Sequence, residues 1–316
     1  MNTFVENNNS PIFIVGAARS GTTLLQYMLR SHPDISLPTA ESHFFIPFYK
    51  KRNSFGDLEK EGNIQLLLEE IYQSKQSFFD NDVHGIKFDA KVLAKTFHQQ
   101  KISTLPEIIS GIFLENAHAE DKKRWGDKTP YYILHLDTIL EMFPDAQIIH
   151  LIRDGRDCAI SMLERKWDLK IFNTYHAAYI WDRYVTKGKN FGSKHPESYF
   201  EIRYEDILNQ PEASIKRLCD FLKIEFNDSV INFKKSDGSG KTALLTKPLK
   251  KSNQAKWKSK MTKKQLAIFE SLAGNTLKSS GYELTSNSPS INKWNWFINE
   301  VHIKLCYFYS KHFLKK

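Results

Sequence analysis

Two rhythms of apolar and polar residues alternate along this chain. Short strand-like runs occur at Ile12–Val15, Gly85–Phe88, Gln147–Ile152 and Tyr199–Ile202. Between them, apolar residues recur at three- and four-residue spacing, which predicts helices near 21–31, 57–73, 106–118, 131–142, 155–165, 174–190, 211–223 and 262–279. Strands alternating with helices predict an α/β protein whose parallel sheet is covered on both faces. Ligands of such sheets bind beyond the carboxyl ends of the strands, so chemistry is expected where each predicted strand stops. A last helical pattern places Trp294, Phe297, Val301, Leu305 and Phe308 on one side, with Glu300, Lys304 and Lys311 elsewhere on the wheel. Three roles fit it: a surface helix packed on the domain, a helix lying in a membrane interface, or a dimer contact. The expected organisation is a tail over residues 1–10, a domain over 11–290 and an aromatic, basic C-terminal helix over 291–316.

Composition narrows the class. The 316 residues are 41% hydrophobic, enough for a large globular core. Cys158, Cys219 and Cys306 form no CxxC pair, which argues against a disulfide framework or a cysteine-based zinc site and fits a cytoplasmic protein. No HExxH or clustered ligand spacing is present, so no metal is expected. The polar N-terminus lacks the apolar stretch of a signal peptide, and no run reaches the ~18 apolar residues of a membrane span. The net charge is +9, and it has an address. Nine lysines (241, 247, 250, 251, 256, 258, 260, 263 and 264) and no acid lie between Gly238 and Phe269, leaving 36 basic against 36 acidic residues elsewhere. A nucleic-acid patch, a solvated lysine-rich loop and a cover over a small polyanion all fit that composition.

The richest segment is PIFIVGAARSGTTLLQYMLRSHP, Pro11–Pro33. A buried strand, a tight turn at Gly21 and a helix from Thr22 aim backbone N–H groups and a helix N-terminus at an anion. That helix end carries roughly half a positive charge. The phosphate loop of nucleotide triphosphatases is GxxxxGK[ST], whose Lys reaches the β and γ phosphates. Gly16 and Gly21 keep the spacing, but Thr22 stands where that Lys would be and Arg19 lies inside the loop. The loop is suited to a phosphate group without a triphosphate tail. A second anion site follows the strand Gln147–Ile152. Arg153 leaves the strand, Asp154–Gly155 turn, and Ser161 lies two helical turns on. An Arg placed there can fork onto a phosphate, although an Arg–Asp ion pair at a helix start is the plainer alternative.

The segments GAARSGTTLL with HPDI, WGDKTP, LIRDGRDCAIS and RYEDILNQPEASIKRLCDFL occur in this order. In this pattern the chain resembles the sulfotransferases that use 3′-phosphoadenosine 5′-phosphosulfate (PAPS), in particular their bacterial and tyrosylprotein-sulfotransferase-like branch, over residues 11–283. The resemblance implies a P-loop, nucleotide-kinase-like three-layer α/β sandwich with a central parallel sheet. It implies transfer of a sulfuryl group from PAPS to a hydroxyl or amine, leaving adenosine 3′,5′-bisphosphate. Carried over residue by residue, it places Arg19, Ser20, Gly21, Thr22 and Thr23 at the 5′ phosphate. Arg153 and Ser161 fall at the 3′ phosphate, with Tyr204 near it. A KP…KW segment, here Lys247–Pro248 and Lys256–Trp257, would close over the nucleotide, with Lys256 at the 3′ phosphate and Lys247 in the cover.

In-line sulfuryl transfer needs a base for the acceptor proton and a cation beside the leaving oxygen. The resemblance assigns the cation to Lys128 of WGDKTP and the base to Glu41 of PTAESHFF. Glu41 lies one residue further on than in the tyrosylprotein pattern, which aligns Ala40. His43 is a competing base because His titrates near neutrality, and Asp89, after the run Gly85–Phe88, is a third. Phe44, Phe45, Phe48 and Tyr49 are either an acceptor wall or core. The acceptor stays open among a peptide tyrosine, a saccharide, a lipid and a small phenol. Nucleic acid is not expected as a partner, whereas peripheral membrane contact through the C-terminal helix and a homodimer are both open. Two rival functions are a P-loop kinase or hydrolase, opposed by Thr22 and Arg153, and a non-catalytic polyanion binder, which leaves the Gly16–Thr23 loop without a purpose.

Overall fold

The structure is a computed structural model that describes residues 10–80, 85–233, 253–285 and 292–313. The chain opens with β1 (Ile12–Gly16), α1 (Thr22–Arg30) and β2 (Ile35–Ser36). Helices α2 (Phe45–Lys50), α3 (Glu61–Ser74), α4 (Gln76–Phe79), α5 (Ala90–Gln99) and α6 (Leu105–Ala119) follow. Next come β3 (Arg124–Lys128), α7 (Leu136–Met142), β4 (Gln147–Ile152), α8 (Gly155–Leu163), α9 (Lys166–Leu169) and α10 (Thr174–Gly192). The remainder is β5 (Tyr199–Arg203), α11 (Tyr204–Asn209), α12 (Pro211–Leu222), α13 (Trp257–Lys260), α14 (Lys263–Ser279) and α15 (Lys293–Phe313).

The five strands are all parallel in the order β2-β3-β1-β4-β5. The central strand explains why its sequence is a continuous apolar run. Phe13 and Val15 enter one core with α3, α5, α6 and α7, whereas Ile12 and Ile14 enter a second core with α1, α11 and α12. A strand covered on both faces has no polar side to show. The third apolar cluster joins α8, α10 and α14 around Trp181 and Phe269. The expected three-layer α/β sandwich is therefore the observed one.

The run Gly85–Phe88 is not a strand. Ile86 is buried, and Phe88 meets Tyr72 and Phe79 edge-on at 5.4 and 5.5 Å. Its apolar residues serve an aromatic cluster instead of a ladder. Asp89, weighed above as a base, caps α5 by accepting from the N–H groups of Lys91 and Val92. The strands that periodicity missed are the two-residue β2 and β3, RWGDK, all five residues of which are buried. The latter reads as polar because its charges are compensated inside the fold. Arg124, for example, donates to the carbonyls of Leu222 at 2.8 Å and Ser10 at 2.5 Å. Phe44, Phe45 and Phe48 are also core, with exposures of 2% or less, so they form no acceptor wall.

Candidate active site

Parallel strands send all their carboxyl ends to one edge. Along that edge, in the spatial order β3-β1-β4-β5, stand Lys128, the Ala17–Gly21 turn, Arg153 and Tyr204. Neighbouring strands are ~4.8 Å apart, so the three steps from Lys128 to Tyr204 span about 14 Å. Four segments far apart in sequence thus become one row.

The turn after β1 is built around Gly21, which has φ 100° and begins α1 without a side-chain cap. The Leu24 and Leu25 N–H groups donate back to the Gly21 carbonyl at 2.9 and 3.3 Å, and the Thr22 and Thr23 N–H groups ahead of them have no side-chain cap. A Cβ at Gly21 would stand 2.5 Å from Tyr204 Cδ2, so the ring of Tyr204 lies directly on the turn. Arg19 also has a left-handed backbone, φ 69°, a strained state for a side chain of this size. Its Nε donates to Ser161 Oγ at 2.9 Å. Burial lowers the Arg19 pKa below the ordinary value, and the like charges of Arg165 and Arg153 push it the same way. Arg153 beside it is paired with Asp157 at 3.6 Å, the Arg–Asp ion pair at a helix start that the sequence also allowed. Ser20 is fully buried, its hydroxyl 3.8 Å from Cys158 Sγ, while Thr22 is buried and Thr23 half-buried on the first turn of α1.

Arg153 joins the two motifs. Its Nη1 donates to the Arg19 carbonyl at 3.3 Å and its Nη2 to the Asn253 carbonyl at 2.9 Å. The guanidinium lies 4.6 Å from the Tyr204 ring centre, and Asn253 Nδ2 donates to the Tyr204 hydroxyl at 2.6 Å. The loop of Arg19 is therefore hydrogen-bonded both to Arg153 at the end of β4 and to Ser161 on α8. The segment leading into α13 is tied down beside them. The Trp257 N–H donates to Asp157 at 2.9 Å, and the Arg156 guanidinium lies 3.7 Å from the Trp257 ring. Arg156 itself is held by Asp154 and Glu270, both at 2.8 Å. Lys256, half-buried, precedes α13 at this edge. Lys247 lies outside the described residues.

At the other end of the row, Lys128 Nζ donates to Glu41 Oε1 at 2.7 Å, and His43 Nε2 is 3.0 Å from Glu41 Oε2. The Lys128 side chain is 4% exposed against 39% for Glu41. The cation is sunk in the wall and the carboxylate reaches solvent. Burial raises the Glu41 pKa, but the hydrogen bond from His43 and the charge of Lys128 outweigh it and hold it down to about 2. His43 has φ 55°, a second strained residue at this edge.

Beneath this pair lies a carboxyl group that the sequence reading passed over. Asp127 is 1% exposed, and neither oxygen has a hydrogen bond of good geometry. Burial raises its pKa to about 6 against the pull of the nearby Thr129 and Ser42 hydroxyls. Those hydroxyls brace the strap that carries Glu41 and His43. Thr129 Oγ1 accepts from the Ser42 N–H at 3.0 Å, and Tyr132 OH accepts from the Phe45 N–H at 3.1 Å and lies 2.8 Å from Ser42 Oγ. The motif WGDKTP holds both Asp127 and Lys128, so a polar strand ending beside a cation was the available signal.

A sulfotransferase family model matches residues 11–228. The chain belongs to the sulfotransferase family. As a sulfotransferase it is an enzyme that moves a sulfuryl group from PAPS to an acceptor. Protein-tyrosine sulfotransferase A of Caenorhabditis elegans is 26% identical, the match covering 91% of this chain and 71% of that protein. Protein-tyrosine sulfotransferase 1 of Danio rerio is 24% identical, covering 92% and 77%. Among solved structures, the sulfotransferase domain of the Synechococcus PCC 7002 olefin synthase has the same fold. It aligns with TM-score 0.56 and 19% identity over 90% of this chain and 99% of that domain. The sulfotransferase domain from the curacin biosynthetic pathway aligns with TM-score 0.55 and 22% identity over 87% and 98%. The kinase and polyanion-binder alternatives are not favoured.

Proposed function

We propose that this sulfotransferase modifies the hydroxyl of a protein tyrosine, with Glu41 as base and Lys128 as the cation at the leaving oxygen. One observation carries the reading: the Lys128–Glu41 pair at 2.7 Å, at the end of the row that begins with Tyr204 and Arg153. The 3′ phosphate of PAPS is assigned to Arg153, Ser161, Tyr204 and Lys256. The 5′ phosphate is assigned to Arg19, Ser20, Gly21, Thr22 and Thr23, which places the sulfuryl group toward Lys128. The acceptor oxygen then attacks sulfur from the Glu41 side. Its proton passes to the Glu41 carboxylate as the bond from sulfur to the bridging phosphate oxygen breaks. Lys128 steadies the charge that collects on that oxygen. Donor binding draws Lys128 toward the nucleotide, which weakens its hold on Glu41 and lets the carboxylate become more basic.

The tyrosine acceptor is supported by the protein-tyrosine sulfotransferases that align over nine-tenths of the chain. It is also supported by Tyr131, 41% exposed, whose ring centre is 6.2 Å from that of His43 and offers a stacking surface for an aromatic acceptor. Exposed Lys258, Lys260, Lys263 and Lys264 suit acidic residues around the target. The test is labelled-sulfate transfer from PAPS to a tyrosine peptide with acidic neighbours, its Phe counterpart, a phenol and an oligosaccharide. Labelling of the Tyr peptide alone is expected. In Lys128→Ala turnover should fall by about 10²–10³-fold while adenosine 3′,5′-bisphosphate still raises the melting temperature. Transfer to the saccharide or phenol in preference to the peptide overturns the acceptor, and unchanged turnover in Lys128→Ala overturns the mechanism.

A further inference from the structure

Helix α15 is amphipathic in an unusual sense: its apolar stripe points away from the domain. Trp294, Phe297, Ile298, Val301 and Leu305 fall within a stripe about 100° wide on the helical wheel. Trp294 and Leu305 are 67% and 63% exposed, and Phe297 and Ile298 are close to half exposed. The opposite face holds the helix to the body. Tyr307 packs edge-on to Phe172 at 5.2 Å, Trp296 meets Tyr175 at 6.4 Å, and Asn173 Nδ2 donates to the Asn299 carbonyl at 3.3 Å. The helix is thus docked by one side while presenting large apolar side chains from the other. Burial drives apolar surface out of water, so a stripe this wide calls for an occupant.

Charge identifies the occupant. Lys293 and Lys304 lie along one flank of the stripe, and Lys311 follows Lys304 at seven-residue spacing. The single acid of the helix, Glu300, turns to the domain side and hydrogen-bonds the Tyr175 hydroxyl, whose pKa burial and this contact raise to about 12. Aromatic residues toward both ends, aliphatic residues between them and a cationic flank match the boundary between acyl chains and anionic headgroups. No described helix is long and apolar enough to cross a membrane, so the geometry is that of a helix lying in the surface. A second copy of this chain is a poorer partner, because each would bring the same lysine-flanked stripe, on a helix whose one acid is already engaged with Tyr175. We infer that α15 seats this sulfotransferase on anionic lipid membranes, inserting Trp294, Phe297, Ile298, Val301 and Leu305 with its lysines on the headgroups.

The test is co-sedimentation of the full chain with phosphatidylcholine vesicles, with and without about one-third phosphatidylserine. The parent is expected to partition at least about fivefold more strongly onto the anionic vesicles, and added salt should weaken the binding. The double variant Phe297→Ser, Leu305→Ser should lose about tenfold or more in partitioning. Both replaced side chains are exposed, so its melting temperature and its stabilisation by adenosine 3′,5′-bisphosphate should stay those of the parent. Light scattering supplies the opposing outcome. A parent dimer that becomes monomeric in the double variant makes a second copy the occupant and overturns the inference. Equal sedimentation of parent and folded double variant overturns it as well.

Discussion

Lys128 Nζ lies 2.7 Å from Glu41 Oε1, and the two partners differ sharply in exposure. The buried ammonium is costly without an anion, and Glu41 supplies one until a donor arrives. The same contact makes Glu41 a weak base in the free protein. Its pKa of about 2 leaves it ionised but reluctant to accept a proton. Under the proposed function, a donor that recruits Lys128 also activates the base, coupling nucleotide binding to acceptor deprotonation.

The base can be identified by pH. A carboxylate with a pKa near 2 in the free protein is unprotonated across roughly pH 5–9, so its own titration adds no acid limb to kcat/KM in that window. His43→Asn removes a hydrogen bond to Glu41 and lets its pKa rise toward the ordinary 4.5, still below the window. The expected profile of His43→Asn therefore has the parent's shape, whereas Glu41→Gln lowers kcat by about 100-fold or more. A parent limb near neutrality that disappears in His43→Asn would move the role to His43.

Arg153 should read the 3′ phosphate. Loss of a charge-assisted hydrogen bond weakens binding by about 10–100-fold, so Arg153→Ala should lose that much affinity for adenosine 3′,5′-bisphosphate. Adenosine 5′-phosphosulfate, which lacks the 3′ group, should change by less than about threefold in calorimetric titration. Equal losses for both ligands would mean that the bonds from Arg153 to the Arg19 and Asn253 carbonyls only hold the loop in shape.

Gly21→Ala meets two obstacles, a φ of 100° and the Tyr204 ring 2.5 Å from the new Cβ. Together they should cost about 2–4 kcal/mol in denaturant unfolding. Adding Tyr204→Leu to Gly21→Ala should recover the steric part and leave the backbone part. If the double variant is no more stable than the sum of the two singles, the ring contact is not the constraint.

Asp127 ties stability to pH. Its pKa is about 6 in the fold against an ordinary 3.8, so the folded state favours the protonated form. That favourable contribution is complete below the unfolded value and is lost as pH rises through 6. Asp127→Asn should raise the melting temperature relative to the parent more at about pH 8 than at about pH 5, with a ceiling of about 3 kcal/mol. A variant less stable than the parent at the higher pH would show that the charge is required to brace Ser42 and Thr129.

Much of this molecule is legible in one dimension. The buried runs of β1 and β4 and the periodic helices α1, α6, α8, α10, α12 and α14 announce themselves, because a strand covered on both faces and a helix with one wet face leave distinct patterns. The glycine-spaced turn and the RDGRD segment likewise stand out by residue type and spacing, and both lie at the carboxyl edge of the sheet. The reading failed where a neighbour decides. Gly85–Phe88 has strand-like residues but feeds an aromatic cluster. RWGDK has charges yet is interior, because its partners are carbonyls and side chains brought from elsewhere.

Local chemistry, then, was set by residue type and spacing: which turns can hold a phosphate, which side chains can carry or move a proton, and which helix is aromatic and basic. What only the tertiary structure decided is adjacency. The strand order β2-β3-β1-β4-β5 puts Lys128 and Arg153 on either side of the Gly21 turn, although Lys128 is more than a hundred residues from it in sequence. It also brings Glu41, offset by one position from the pattern it resembles, onto Lys128, and turns the stripe of α15 outward. Spacing along a chain governs what one backbone segment can do, but hydrogen bonds, ion pairs and burial act through space between segments that only folding brings together.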